Sequence, residues 1–498
     1  MIDMLRTLQQ RFLAGFAAGA ALTFSACTTL GPDYTEPQVA WLEAWETDLY
    51  GQFGGTAQQK EADLQYWWHL FQDPKLNKLI ELARVQNPSL RIAGLRILES
   101  RATLGIADSL RYPQAQQTSG GLTYVDSQQT NGQNEQSFSS YDTGLGVGWE
   151  MDFWGKFQRG IESANAAFFA SIANQRDGQV LLAAQVADAY FAYRTSVLRI
   201  QIAESNAEIQ KRSFEITQKL FASGQQSELD LQQAKTQYLA TVSTIPDLEL
   251  NLHQVRNALC ALLGQPPSEL SQLLELPDQL PELAAIRIDA IPAQLLLRRP
   301  DVRAAAWQVA AQSPQIGAAE ADLYPSVSLF GSIGFAANTR DTSEDTVTLG
   351  VGPSFTWNIL DYGRIKNNVR VQDARLQIAI ESFQNALLAA AREMDDAAYG
   401  VIKTREKQVT LSESLVAARR SLELANRNYK EGYADFQRVL DAQRSVASQS
   451  EQELINIGKQ ISAVVDFYRA IGGGWLPSSL DQMLPSATRG QMETRSDW

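Results

Sequence analysis

The run TVTLGVGPSFTWNI, residues 346–359, decides the fold. Val347, Leu349, Val351, Phe355, Trp357 and Ile359 are apolar. Between them stand Thr346, Thr348, Gly350, Gly352, Ser354, Thr356 and Asn358. A period of two marks a strand with one greasy and one wet face. The run exceeds the usual strand of about five or six residues and has the length of a tilted strand crossing ~30 Å of hydrocarbon. Upstream, across a polar loop at 338–345, Val327, Leu329, Ile333 and Phe335 alternate with Ser326, Ser328, Ser332 and Gly334. Two hundred residues earlier, Thr143, Leu145, Val147, Trp149, Met151 and Phe153 alternate with Asp142, Gly144, Gly146, Gly148, Glu150 and Asp152. Trp149, Trp154, Trp357 and Tyr362 close these runs, as an interfacial aromatic girdle would.

The two strand regions belong to an internal repeat. Asn87-Pro88-Ser89-Leu90-Arg91 leading to Tyr112-Pro113 returns as Arg299-Pro300-Asp301-Val302-Arg303 leading to Tyr324-Pro325. Trp154-Gly155-Lys156 returns as Tyr362-Gly363-Arg364, Gly224 as Gly432, and Leu263-Gly264 as Ile471-Gly472. From Gly155 onward the copies stay in register at a spacing of 208 residues. A fourth strand, around Gln114–Val125, alternates poorly and is placed by the repeat alone.

Gly155 to Gly224 and Gly363 to Gly432 contain no proline. Each reads as one helix of roughly 100 Å at 1.5 Å per residue. In the second, Leu376, Ile380, Phe383, Leu387, Ala390, Met394, Ala397 and Val401 keep the 4-3 spacing of a coiled coil. Return helices are expected at 225–263 and 433–471, and shorter helices open each copy after Pro88 and Pro300. The expected order is therefore a first repeat at 87–264, an inter-repeat equatorial linker at 265–298, a second repeat at 299–472 and a C-terminal tail at 473–498. An equatorial belt is expected from 27–86.

Four strands cannot stand alone in lipid, because both sheet edges would leave backbone groups unpaired. Eight strands make a barrel plugged by its own side chains; twelve leave room for a lumen. The reading is a mainly α chain with a membrane β-barrel. Three copies supply four strands each to a 12-stranded barrel, continued by a long coiled-coil α-helical barrel.

Residues 1–26 read as a signal peptide: basic Arg6 and Arg11, an apolar run from Phe12 to Phe24, then Ser25-Ala26 before Cys27. Phe24-Ser25-Ala26-Cys27 resembles a bacterial lipobox, which implies an acylated Cys27 and a lipid-anchored protein of the outer membrane. The net charge of -13 excludes a basic nucleic-acid footprint. Two cysteines and two histidines cannot build a Cys/His zinc site or an iron–sulfur centre. No nucleophile elbow, Walker or zincin motif is present, so no enzyme, cofactor or catalytic residue is expected.

The chain is similar to the TolC-like family of outer-membrane efflux ducts, in its lipoprotein branch serving RND-type multidrug pumps. The resemblance rests on Arg298-Arg299-Pro300-Asp301-Val302-Arg303, Ala319-Glu320-Ala321-Asp322-Leu323-Tyr324-Pro325, Asp361-Tyr362-Gly363-Arg364 and Val439-Leu440-Asp441-Ala442-Gln443-Arg444. It implies a homotrimer, a periplasmic tunnel, and partnership with a periplasmic adaptor (membrane fusion) protein and an inner-membrane transporter. It also implies a passive path for drugs or other toxic small molecules. Tyr429, Asp441 and Arg444 match the family's periplasmic gate, and Asp230 matches the first-repeat partner in its closed-state network. Arg438 departs from the pattern, replacing a second acid. Gly224 and Gly432 mark the tip turns. The rival readings are an exit duct of a type I protein secretion system and a periplasmic coiled-coil structural protein.

Overall fold

The computed structural model describes residues 28–42, 64–127, 136–267, 280–281, 293–339, 345–477 and 484–496. The expected signal peptide and Cys27 lie outside them, as does most of the expected inter-repeat linker.

In chain order the elements are α1 (Pro74–Gln86), α2 (Pro88–Ser109), β1 (Ala115–Ser127), β2 (Gln136–Met151), α3 (Lys156–Ala222) and α4 (Glu228–Leu262). The second copy supplies α5 (Pro300–Ala321), β3 (Ser326–Asn338), β4 (Thr346–Thr356), α6 (Arg364–Lys430) and α7 (Phe436–Ala470). A short α8 (Ser486–Arg495) follows, where the sequence shows only a polar tail. Two 3-10 turns, Trp67–Phe71 and Ala293–Arg298, complete the described elements. The long helices α3 and α6 are 67 residues each and the return helices α4 and α7 are 35 each. The return helices begin later than expected because Ser227 and Asp435 take the N-cap positions, accepting from the backbone N–H of Asp230 and Arg438.

Two compact units divide the chain. One gathers Met1–Gln38, Ile97–Ile172 and Ala304–Gln384 and holds the sheet. Its strands run in the order β1-β2-β3-β4, every neighbouring pair antiparallel. Leu145 faces Ile333, which faces Leu349, and Val147 faces Gly331, which faces Val351, so the apolar residues share one side. That side has no protein cover among the described residues: Leu349, Val351 and Phe355 are 76%, 82% and 74% exposed. An apolar face of this extent requires lipid or another chain. Poorly patterned β1 is fixed by pairing; Thr118 faces Leu145 and Leu122 faces Tyr141, so its even positions lie on the apolar side.

β4 ends at Thr356, although the alternation continues to Ile359. Its neighbour β3 starts at Ser326, opposite Thr356, and no strand among the described residues lies opposite Trp357–Ile359. Asp361 then caps α6, its carboxylate accepting from the backbone N–H of Gly363 and Ile365 at 3.1 and 2.7 Å.

The same unit anchors the first described residues. Arg159, buried in the first turns of α3, donates to the carbonyls of Leu30 (2.9 Å) and Gly31 (3.1 Å) and pairs with Asp33 and Glu162 at 2.8 Å. Trp154 donates from its indole to the Pro325 carbonyl at 2.8 Å and stacks on Tyr324.

The second unit, Val39–Arg96, Ala173–Arg303 and Asn385–Trp498, is helical. Leu387, Ala390, Met394 and Ala397 of the expected seam are buried, the last giving way to Ala398 and Ile402. Asp73 caps α1, accepting from the N–H of Lys75 and Leu76, and its other oxygen accepts from Tyr190 and Arg194 of α3 at 2.7 and 2.9 Å. Cys260 is buried in α4. No helix among the described residues is long and apolar enough to cross a membrane.

Candidate functional site

Helices α3 and α6 both stop at a glycine in the left-handed region, Gly224 (φ 74°) and Gly432 (φ 79°). Gln225 N–H reaches back to the Leu220 carbonyl at 2.8 Å and Gly224 N–H to Phe221 at 2.9 Å. Tyr433 and Gly432 repeat the pattern onto Asn428 and Tyr429 at 2.8 and 3.1 Å. Both turns are therefore Schellman motifs, in which a side chain at the glycine would be strained. The repeat is preserved down to individual hydrogen bonds.

Behind the turns, Ala234, Phe436, Val439 and Leu440 form a buried cluster against which Phe214, Ala425 and Tyr429 pack. Tyr429 lays its ring on Phe436, with centroids 5.4 Å apart. Its hydroxyl accepts from Gln226 Nε2 at 2.8 Å, joining the α6 end to the first-copy turn. Burial pushes the Tyr429 phenol above its ordinary value; the Gln226 bond opposes this and the Asp230 charge adds to it. Asp230 does not bond Tyr429; its carboxylate accepts from Ser227 Oγ at 2.7 Å. The structure thus assigns the first-copy contact of Tyr429 to Gln226, a residue the sequence does not single out.

Asp441 and Arg444 meet on one face of α7, one turn apart, with Nη1 to Oδ1 at 3.4 Å. Gln437 also donates to Asp441 Oδ1 at 3.0 Å. Arg444 donates from Nε to Gln237 of α4, which ties the two return helices together. Among the described residues Arg438 pairs with Asp435, at 3.8 Å and largely exposed. Both Asp441 and Arg444 are about half exposed, so their charges are available to whatever stands opposite.

A second polar centre surrounds the Arg-Pro-Asp stretch. Arg299 is buried and donates to the Ala470 carbonyl at 2.8 Å, to both Asp301 oxygens at 3.1 and 2.8 Å, and to Glu393 at 2.9 Å. Close by, burial lifts the Asp177 carboxyl to about 6; Asp301 and Glu393 add to the rise and Arg299 opposes it. No group of metal-binding side chains occurs among the described residues.

The profile of the family described as outer membrane efflux protein matches residues 79–265 and 291–473, the two copies of the repeat. The chain belongs to the outer membrane efflux protein family. It is similar to the solvent efflux pump outer membrane protein SrpC of Pseudomonas putida, 29% identical over 92% of this chain and 97% of that one. The probable outer membrane lipoprotein SilC of Salmonella typhimurium is 27% identical over 91% of this chain and 96% of its own. Among solved structures, the outer-membrane channel OprN superposes with a TM-score of 0.81 at 32% identity, covering 90% of this chain and 100% of that one.

An outer membrane efflux protein is a passive channel, which agrees with a chain that carries no catalytic motif. The fold expected from the repeat, a helical barrel continued by a β-barrel shared among three copies, is that of these channels. The exposed apolar sheet face is accordingly the lipid face, and the protein resides in the outer membrane.

Proposed function

We propose that this efflux protein is the exit duct of a tripartite pump, carrying drugs or other toxic small molecules outward from a periplasmic adaptor and an RND-type inner-membrane transporter. One observation carries the reading. The same chain holds a four-stranded sheet with a bare apolar face and two unbroken 67-residue helices. At ~1.5 Å per residue such a helix spans roughly 100 Å, a length suited to bridging an aqueous compartment and needless in a globular domain. The relative SrpC, named for solvent efflux, supports the choice of small molecules as cargo.

Within this reading Tyr429, Asp441, Arg444 and Asp230 form the periplasmic gate at the turns marked by Gly224 and Gly432. Threefold symmetry repeats Asp441 as a ring of negative charge around the axis, a constriction that favours cations. Cys27 is the lipidated residue. Three residues beyond it, Leu30 is held by Arg159 and by the Trp154 carbonyl, beside the aromatic end of β2. The lipoprotein name of SilC supports the same assignment.

Deletion of the chain tests the function. The deletion strain should become hypersensitive to a panel of solvents, dyes and antibiotics, and the wild-type chain should restore resistance. Unchanged sensitivity throughout, with a protein missing from the culture medium instead, would overturn efflux in favour of protein export.

A further inference from the structure

Where β2 ends and α3 begins, the first copy of the repeat forms a half-open cavity of about 390 Å³. That is the size of a small-molecule site, which runs from about 300 to 1,000 Å³. Thr29, Leu110, Arg111, Trp149, Glu150 and Phe157 line it, all within the unit that holds the sheet. The strand places the cavity in the membrane. Trp149 lies on the apolar side of β2, the side of Leu145, and Glu150 on the other. Both faces of the sheet therefore reach the cavity at the level of the aromatic girdle, where hydrocarbon gives way to water.

The two copies separate what the fold needs from what this cavity adds. Trp149, Gly155 and Phe157 return as Trp357, Gly363 and Ile365. Asp152, also on the rim, caps α3 by accepting from the N–H of Phe157 and Gln158, as Asp361 caps α6. Arg111 and Glu150 have no such counterparts: Leu323 and Asn358 stand in their places. Nor do the two neutralise each other. Arg111 is half exposed and reaches Asp108 at 3.9 Å and Gln158 at 3.2 Å. Glu150 makes no ion pair among the described residues. A cation and an anion thus line one cavity at the membrane boundary, unpaired with each other and not required by the repeat.

We propose that this cavity binds a zwitterionic phospholipid of the periplasmic leaflet, with phosphoethanolamine as its headgroup. The Arg111 guanidinium donates to the phosphodiester, for which its planar fork is suited. The Glu150 carboxylate accepts from the ammonium. Trp149, Leu110 and Phe157 lie against the glycerol and the first methylenes, and the acyl chains leave along the apolar face of the sheet. Charge selects the head. With Asp152 engaged by the start of α3, Arg111 and Glu150 sum to zero, which suits a zwitterion and disfavours the net charge of phosphatidylglycerol. A choline head lacks the N–H that Glu150 accepts. The inference rests on residence in the outer membrane and is independent of what the channel carries.

The test is native mass spectrometry of the full-length trimer, exchanged into micelles holding equal amounts of phosphatidylethanolamine, phosphatidylglycerol and phosphatidylcholine. Wild type should retain phosphatidylethanolamine in preference to the other two. Arg111→Leu and Glu150→Asn each install the side chain that the fold already holds in the second copy. Arg111→Leu should lower phosphatidylethanolamine retention about tenfold, the effect of losing one charge-assisted contact. Glu150→Asn should keep the phosphate contact and lose the preference, so that phosphatidylethanolamine and phosphatidylglycerol are retained alike. Soluble phosphoethanolamine at equal concentration should not compete, because it brings no apolar segment; competition would overturn the lipid as occupant. Equal retention by wild type and Arg111→Leu, or no preference among the three lipids in wild type, would overturn the site. So would an Arg111→Leu trimer that dissociates sooner in lipid-free micelles while retaining lipid unchanged, because Arg111 would then serve packing between copies.

Discussion

Gly31 and Gly317 lie backbone against backbone, with no room for a Cβ on either: at Gly317 it would strike the Leu30 carbonyl, and at Gly31 the Gly317 backbone. Gly317 sits inside α5, where alanine would ordinarily gain about 1 kcal/mol of helix propensity. The collision should reverse that sign. Gly317→Ala is expected to cost about 1–3 kcal/mol as an overpacked contact. Gly160→Ala in α3, with open space around it, should be neutral or stabilising. The temperature at which the detergent-solubilised trimer dissociates checks both, and proteolysis after Thr28 should accelerate only in the first.

Arg299 faces Asp301, Glu393 and the Ala470 carbonyl from a buried position. Removing it strands two acids and a carbonyl beside Asp177. Arg299→Met should lower stability by about 3–5 kcal/mol, the cost of breaking a buried pair. Arg299→Lys should recover only part of this, since an ammonium lacks the fork that reaches three acceptors. The deficit of Arg299→Met should shrink as pH falls below about 6, because Asp177, already lifted to about 6 and no longer opposed by the Arg299 charge, is protonated there, which a melting series across pH would reveal.

Much of this architecture was legible because it obeys a period. The 4-3 seam of α6 and the alternation of β2, β3 and β4 are written in side-chain polarity, and the repeat supplied β1. The turns that end α3 and α6 were marked by Gly224 and Gly432. What escaped has no period. Asp73 with Tyr190 and Arg194, Arg159 with Leu30, and Tyr429 with Gln226 join residues over a hundred apart, and an isolated arginine or glutamine carries no mark of its partner. The end of β4 was misplaced for a related reason: a strand needs a neighbour, and side-chain alternation does not say where the neighbour ends.

Asp188 gives a pH dependence of opposite sign to an ordinary surface carboxylate. Burial lifts it from 3.8 to about 6, partly offset by the hydrogen bond from Ser462 Oγ at 2.8 Å. A carboxyl whose folded value is raised favours the folded state fully below the unfolded value and loses that contribution as pH climbs through 6. Asp188→Asn, which keeps an oxygen for Ser462, should therefore stabilise the trimer at pH 7.5, by no more than about 3 kcal/mol. The advantage should vanish by about pH 4. Thermal melts of both proteins at the two pH values decide it; an advantage that persists unchanged at pH 4 would falsify the assignment to this carboxyl.

The residues proposed to form the gate make their own prediction. Arg444 ties α7 to Gln237 of α4 and holds Asp441 beside it, and both charges are half exposed. Each such contact is worth only about 0.2–1 kcal/mol. Threefold symmetry multiplies the α7–α4 contact, and three such contacts at about 0.5 kcal/mol shift an open–closed equilibrium by about tenfold, since 1.4 kcal/mol is a factor of ten. Arg444→Ala and Asp441→Ala should accordingly raise single-channel conductance in planar bilayers, and Tyr429→Phe, which loses only the Gln226 bond, should do so less. Arg438→Ala is the control, because the described partner of Arg438 is Asp435, the N-cap of its own helix. Asp441→Asn separates the two roles proposed for the acid: it keeps the side chain's size while removing the proposed ring of charge, so cation selectivity should fall. Conductance unmoved in both alanine variants would remove the gate from these residues, since Arg444 is the charge that links α7 to α4 among the described residues.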